Sequence, residues 1–386
     1  MSRPRVLFFV EGHTDIRFVV GLSEICDLTM AAPQRTFGPS GLKRRITDLG
    51  IKIQTKEISG GRLAFQAKSL LYLLRHAGDF DVILAQEALR GALNANLAGW
   101  IRRVPVVTYI GIAPVEYWRC RRDRRQISWF KWFAGDRVIR TLLTINGWLA
   151  SRCLAMGPYL RDLAKRYCSR TEIGLYYGVD TEFFRPADAG ERRTLRQKWG
   201  LPENDFLIFF SSRISHEKDA ETVLRATAIA RSRGLQAALL NLGGGYMDFL
   251  DLAHALNLPD ADQWVIAGPA LHPMTEVADV FRAADVMALA SLAEGAAFST
   301  LEALSCGTPV VATATGGMAV QLNGHARLTP PRDPAAMAEE FLWVAANPQA
   351  ARAQALRARE TYIVPEWNRS KAFSDLAQVL QTVRRR

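Results

Sequence analysis

Two glutamates eight residues apart, Glu294 and Glu302, bracket the small-residue run Gly295-Ala296-Ala297-Phe298. The apolar run Val286–Ala290 ahead of them has the length of a buried strand, and Gly307 and Pro309 behind them punctuate the end of a helix. The spacing predicts strand, loop, then helix, with Glu294 in the loop and Glu302 in the first turn of a helix that starts near Ser299. Backbone N–H groups at a helix start have no partner inside the helix and can hold oxygen-rich or anionic ligands. Gly295 and the two alanines let a ligand come close to the backbone, and a carboxylate on either side can accept hydrogen bonds from sugar hydroxyls. The same residues fit a second description: Ser299-Thr-Leu-Glu302 is an S-x-x-E capping box, in which Glu302 only closes a helix.

The elements that must position these residues are legible as short apolar runs: Val6–Val10, Asp81–Ala85, Val104–Tyr109, Cys153–Ala155, Phe206–Ser211, Ala237–Leu242, Trp264–Ala267, Val286–Ala290 and Pro309–Ala312. Near-continuous apolar runs of this length suit strands covered on both faces. Helical patterns such as 218–233 and 334–346 lie between them, and the alternation implies parallel, doubly wound α/β sheets. The 386 residues suffice for two domains. A stretch around 178–205 with Pro186, Pro202 and many charges marks the boundary. We read residues 1–185 as one Rossmann-like domain, 186–365 as a second, and 366–386 as a C-terminal helix packing back toward the first. In such sheets ligands bind beyond the carboxyl ends of the strands, and two domains facing a central cleft suit a reaction between a bound donor and a separate acceptor.

With these pieces in order, the chain resembles the retaining glycosyltransferases of family 4, the group 1 glycosyltransferases, whose fold is GT-B. The resemblance rests on the E-x7-E pattern of Glu294 and Glu302 with Gly307-Thr-Pro-Val-Val after it, on Tyr177-Gly178-Val179-Asp180 running to Phe184 and Pro186, which is similar to an N-G-V-D-x-x-x-F-x-P turn, on Arg213 and Lys218, similar to G-R-L-x-x-x-K, and on Ala283-Ala284-Asp285-Val286. It covers about 175–320 and is weak before that. It implies transfer of a hexose from a UDP- or GDP-sugar, a substrate rather than a cofactor, to a lipid-linked or polysaccharide acceptor. Glu294 and the amides of Gly295, Ala296, Ala297 and Phe298 would hold the donor sugar, and Glu302 the ribose. Arg213 and Lys218, after the strand that starts at Phe206, would stabilise the diphosphate as it gains charge on leaving. Glu294, Arg213 and Lys218 are thus the candidate catalytic residues. Gly243 and Gly244 would let the backbone approach the donor, although a plain turn describes Gly243-Gly244-Gly245 as well. In a retaining transfer a phosphate oxygen of the leaving group can take the acceptor proton, so neither a base nor a metal is expected.

The first domain departs from the family pattern. Its loop after the first strand, Glu11-Gly12-His13-Thr14-Asp15, has one glycine; Gly12 and His13 remain candidates for acceptor or cleft contacts. Thr108-Tyr109-Ile110-Gly111 lacks a histidine that many members carry there. A degenerate relative that binds nucleotide-sugar without turnover, or a soluble epimerase or sucrose- or glycogen-type synthase, would share the architecture.

Charge adds a partner. The net charge is +11, and it is uneven: residues 1–190 hold 29 Lys/Arg against 17 Asp/Glu, while 191–386 hold 20 against 21. Arg119–Phe133 packs arginines against aromatics, and Arg121, Arg122, Arg124, Arg125, Trp129 and Trp132 read as a patch for an anionic membrane. A buried aromatic helix beside a solvated basic loop is the alternative; no nucleic-acid motif accompanies the stretch. No run approaches the ~18 apolar residues of a membrane span, so peripheral attachment is expected. Five cysteines, Cys26, Cys120, Cys153, Cys168 and Cys306, with no C-x-x-C spacing, fit a reducing cytoplasm rather than a disulfide or zinc framework.

Overall fold

The computed structural model describes residues 3–12, 14–38, 41–268 and 274–384. They form two compact units, one of residues 1–118, 127–178 and 370–386, the other of 119–126 and 179–369.

The first unit is built on a parallel sheet of β1 (Arg5–Phe9), β2 (Asp27–Pro33), β3 (Gln54–Ile58), β4 (Val82–Ala85), β5 (Val106–Ile110), β6 (Arg152–Ala155) and β7 (Thr171–Ile173), in the order β3-β2-β1-β4-β5-β6-β7. β1 is fully covered after Arg5, as its uninterrupted Val-Leu-Phe-Phe demands. The second unit repeats the plan with β8 (Phe206–Phe210), β9 (Ala237–Asn241), β10 (Val265–Ala267), β11 (Val286–Leu289), β12 (Val310–Thr313) and β13 (Arg327–Thr329), ordered β10-β9-β8-β11-β12-β13. Every pairing in both sheets is parallel. The α/β class and two doubly wound sheets expected from the alternation are therefore present. In each sheet the strand order reverses at one place, between β1 and β4 and between β8 and β11. Loops diverge there, leaving a crevice at the carboxyl ends.

Four strands escape the apolar-run reading, for visible reasons. β3, β7 and β13 are edge strands, and Gln-Thr-Lys-Glu-Ile shows water on most of its length. β2 is interior, but Asp27, Thr29 and Pro33 break its apolar pattern. The helix read at 334–346 is observed with those bounds, Pro334–Ala346, with Asp333 accepting from the Ala336 N–H at 2.9 Å as its cap.

Phe281 shows how the second core is filled. It is completely buried, 5.3 Å from Phe209 and 6.3 Å from Phe184 between ring centroids. Phe281→Ala removes that ring from a fully buried site, and about 3–5 kcal/mol of stability should go with it. Urea unfolding followed by tryptophan fluorescence would measure the loss; a change below about 1 kcal/mol would mean that the core there is loosely packed.

Candidate functional site

The β8 loop and the β11 loop meet at the reversal point of the second sheet. The Leu292 N–H donates to Glu217 O at 2.7 Å, tying the two together. From one loop comes Lys218, from the other Glu294, and their side chains form an ion pair. Ser291 Oγ lies 3.3 Å from the same carboxylate oxygen. Glu294 is only 7% exposed. A carboxyl group that buried is costly to leave unpaired, and Lys218 supplies its partner. Two residues read separately from the sequence are thus one unit. Arg213 sits in the β8 loop, exposed, and makes no ion pair among the described residues.

Downstream of Glu294 the backbone enters the helix Phe298–Ser305 with Ala297 as its cap, and no side chain caps it. Ser299 lies inside the helix, so the S-x-x-E box is not formed, and the helix start one residue earlier puts Glu302 in the second turn rather than the first. Glu302 is 5% exposed. The N–H groups of buried Gly295 and half-buried Ala296 donate to no described residue, so both can serve an oxygen of a bound ligand.

A third loop, unforeseen in the sequence, braces this one. At the end of β12 Thr313 Oγ1, and just beyond it Thr315 Oγ1, donate to Ser291 O at 2.7 and 2.6 Å, and the Gly317 N–H donates to Glu294 O at 2.8 Å. A Cβ on Gly317 would stand 1.9 Å from Gly295 O, so no other residue fits. Gln321 takes the Ala297 N–H at 3.2 Å and donates to Ala297 O at 3.0 Å. The available signal was Thr315-Gly316-Gly317 directly after an apolar strand, a strand–glycine–helix junction of the same kind as the one at Glu294.

Beside this cluster, a pocket of about 360 Å³ opens at the ends of β8, β9 and β10. Gly243, Gly244 and Gly245 form one wall, with Ile214, Tyr246 and Phe249 around them. Asn241 fixes that wall, donating to Phe210 O and Ser212 O at 2.8 and 2.9 Å. A Cβ on Gly243 would lie 2.4 Å from Ser212 O, which answers why glycine stands there; Gly244 faces open space. Tyr246 stacks on His216, ring centroids 4.6 Å apart, at the rim. A larger cavity of about 950 Å³ lies at the amino ends of β8, β9, β11 and β12, lined by Arg192 and Arg196, which both donate to Asp285 there, and by none of the loops just described. Ligands of open parallel sheets bind at the opposite edge, so the smaller pocket is the functional candidate.

The reversal point of the first sheet carries Glu11, after β1, and Glu87, after β4. Glu11 is satisfied: the Gly91 N–H donates to it at 2.7 Å, Gln66 Nε2 at 2.8 Å, and Arg90 pairs with it at 3.1 Å. Burial, and next the negative charge of Glu11, push Glu87 up to about 7, against the pull of the Gly12 N–H, Arg90 and Arg35. Gly12 is in contact with Glu87 and its carbonyl accepts from Thr36 Oγ1 at 2.7 Å; His13 lies outside the described residues. A carboxyl raised in the folded state stabilises the fold below its unfolded range near 4.5, and loses that contribution as pH rises through about 7. Glu87→Gln should therefore raise the melting temperature at pH 8 relative to the native chain and leave it nearly unchanged at about pH 4. An equal effect at both pH values would refute the shift.

The arginine stretch is divided. Residues 119–126 count with the second unit, where Arg124 pairs with the buried carboxylate of Asp219 at the head of the helix Ala220–Ser232. Arg122 pairs with Asp123, and Arg121 also has a partner. Arg125 is exposed in a turn with φ 54°. Trp129 and Trp132 open the helix Trp129–Leu149 of the first unit, with Trp129 exposed and Trp132 half-buried.

Comparison with known proteins bears on the family and the fold. The profile described as glycosyl transferases group 1 matches residues 191–361. A protein of Catenulispora acidiphila named D-inositol 3-phosphate glycosyltransferase 2 is 30% identical over 329 residues, 72% of this chain and 73% of its own. A second from the same organism, D-inositol 3-phosphate glycosyltransferase 1, is 35% identical over 312 residues, 74% of this chain and 68% of its own. Among solved structures, Anabaena HepE in complex with UDP superposes with a TM-score of 0.76 over 98% of this chain and 100% of that one at 18% identity. Sucrose-phosphate synthase of Thermosynechococcus elongatus does so with 0.73, over 98% and 99%, at 17%.

Proposed function

Because the chain belongs to the group 1 glycosyltransferases and has the GT-B type of fold, we propose that it moves a hexose from a UDP- or GDP-sugar to a hydroxyl of a lipid-linked or polysaccharide acceptor, with retention at the anomeric carbon, at the cytoplasmic face of a membrane. The observation that carries the reading is the Lys218–Glu294 pair at the reversal point, beside the Gly295 and Ala296 N–H groups, which donate to no described residue. Glu294 and the N–H groups of Gly295 and Ala296 take the sugar hydroxyls, the Ala297 N–H being held by Gln321. Arg213 and Lys218 take the diphosphate, whose charge grows as its bond to the anomeric carbon breaks. The ribose falls to Glu302, and the base to the pocket walled by Gly243 and Gly244. As the acceptor oxygen bonds to the anomeric carbon, its proton passes to a phosphate oxygen of the departing nucleotide. No metal is required in this scheme, so a chelator should leave turnover unchanged.

UDP in a HepE complex and UDP-glucose in another support a uridine donor. The test is nucleotide release from a panel of UDP-, GDP- and ADP-hexoses, with the product anomer read by NMR. An inverted product would overturn the stereochemistry, and release from none of the donors would favour a binding protein without turnover. The relatives named for inositol 3-phosphate motivate a second reading, transfer to a small phosphorylated polyol. Adding inositol phosphate as acceptor separates the two.

A further inference from the structure

The helix Trp129–Leu149 of the first unit is held by one face only. Leu143, Asn146 and Gly147 are buried. Asn146 Nδ2 donates to Ala88 O and Leu89 O at 3.0 and 2.9 Å, and its Oδ1 accepts from Asn96 at 2.9 Å. Near the helix start Trp118 Nε1 donates to Trp132 O at 2.8 Å. The outward face is apolar where a solvated helix would be polar: Trp129 is 64% exposed, Phe130 75%, Val138 58% and Trp148 73%. None of these contributes to the unit's core, and large exposed aromatics cluster where something else covers them.

Charge identifies what that is. Lys131, Arg137 and Arg140 are exposed on the same helix, and its single acid, Asp136, accepts from Arg140 Nε at 2.7 Å. The whole first unit holds 27 Lys/Arg against 14 Asp/Glu, a surplus of 13. Tryptophans stand near both ends of a helix about 30 Å long, and no described helix is long and apolar enough to cross a membrane. Aromatics on one face, cations beside them and no free acid are the attributes of a helix that lies in the headgroup layer of a bilayer; a protein partner would call for mixed charge at the rim. We propose that the exposed face of this helix docks the protein on a bilayer rich in anionic phospholipid. The apolar residues that do so, Phe130, Val138 and Trp148 with Trp129, replace the run Arg121–Arg125 as the contact. The inference deepens the proposed lipid-linked acceptor by naming the surface that brings the enzyme to it.

Co-sedimentation of the full chain with lipid vesicles tests it. The protein should pellet with phosphatidylglycerol–phosphatidylcholine vesicles at low salt, not with phosphatidylcholine alone, and should be released by about 0.5 M salt. Phe130→Ser combined with Val138→Ser and Trp148→Ser should lower partitioning about tenfold or more, while Leu63→Ser, at an exposed leucine of another helix, should not. Unchanged partitioning of the triple variant, or no pelleting of the native chain, would overturn the proposal. So would a native dimer that the triple variant reduces to a monomer without loss of vesicle binding. Nucleotide release from a soluble sugar donor, measured on the same triple variant, keeps the two readings apart: it stays at the native rate if the donor site is as proposed, whichever way the vesicles answer.

Discussion

Lys218→Ala should lower kcat for nucleotide-sugar turnover by about a hundred- to a thousandfold while moving the donor KM little. The ammonium acts on charge that develops as the diphosphate leaves, and removing one preorganised donor to such charge costs about that much. It is one of two cations offered by the β8 loop, so Arg213 leaves a residual rate. The variant carries a second consequence. Glu294 is only 7% exposed and among the described residues keeps only the Ser291 hydroxyl as a side-chain partner, so a carboxylate stripped of its counter-charge should lower the melting temperature. Lys218→Ala with Glu294→Ala removes both charges and should regain part of that stability without regaining turnover. Steady-state kinetics and melting curves on the three variants separate the electrostatic role from a merely structural one, in which kcat and stability would recover together.

Glu302→Gln should behave differently. A buried carboxylate that accepts hydrogen bonds from ribose binds the ground state and the transition state alike. Its loss should raise the donor KM about ten- to a hundredfold and leave kcat within a few-fold. The glutamine keeps the volume of a side chain that is 5% exposed, which keeps the fold. A kcat loss as large as that of Lys218→Ala, with KM unchanged, would place Glu302 at the reacting carbon instead.

What the sequence shows and what it hides follow from the kind of interaction involved. Loops that end apolar strands are legible because the strand and the helix around them each have a period, and Glu294 and Lys218 could be placed at the carboxyl ends of β11 and β8 on that basis. Their mutual ion pair was not legible, because it joins loops 76 residues apart, brought together by the strand order β8-β11, which no local pattern records. Gly317 and Gln321 escaped for the same reason: from the segment after a third strand, β12, they support Glu294 and Ala297. The capping-box description of Ser299–Glu302 was locally sound and lost to two residues of helix register, since Ala297 and not Ser299 is the cap. Edge strands β3, β7 and β13 carry too few apolar residues to register. In the arginine stretch, composition indicated an anionic partner. It could not show that Arg124 finds Asp219 within the chain, or that the exposed aromatics lie on the following helix.

The measurement that bears most directly on the donor site is nucleotide release from the sugar donor that the native chain prefers, compared between that chain and the Lys218→Ala, Glu294→Ala double variant. The two residues act as one clamp, so the double variant should release nucleotide no faster than Lys218→Ala alone, at least about a hundredfold below the native chain. A folded double variant that turns over at the native rate would contradict the account, and the site would have to be sought outside the loops after β8 and β11.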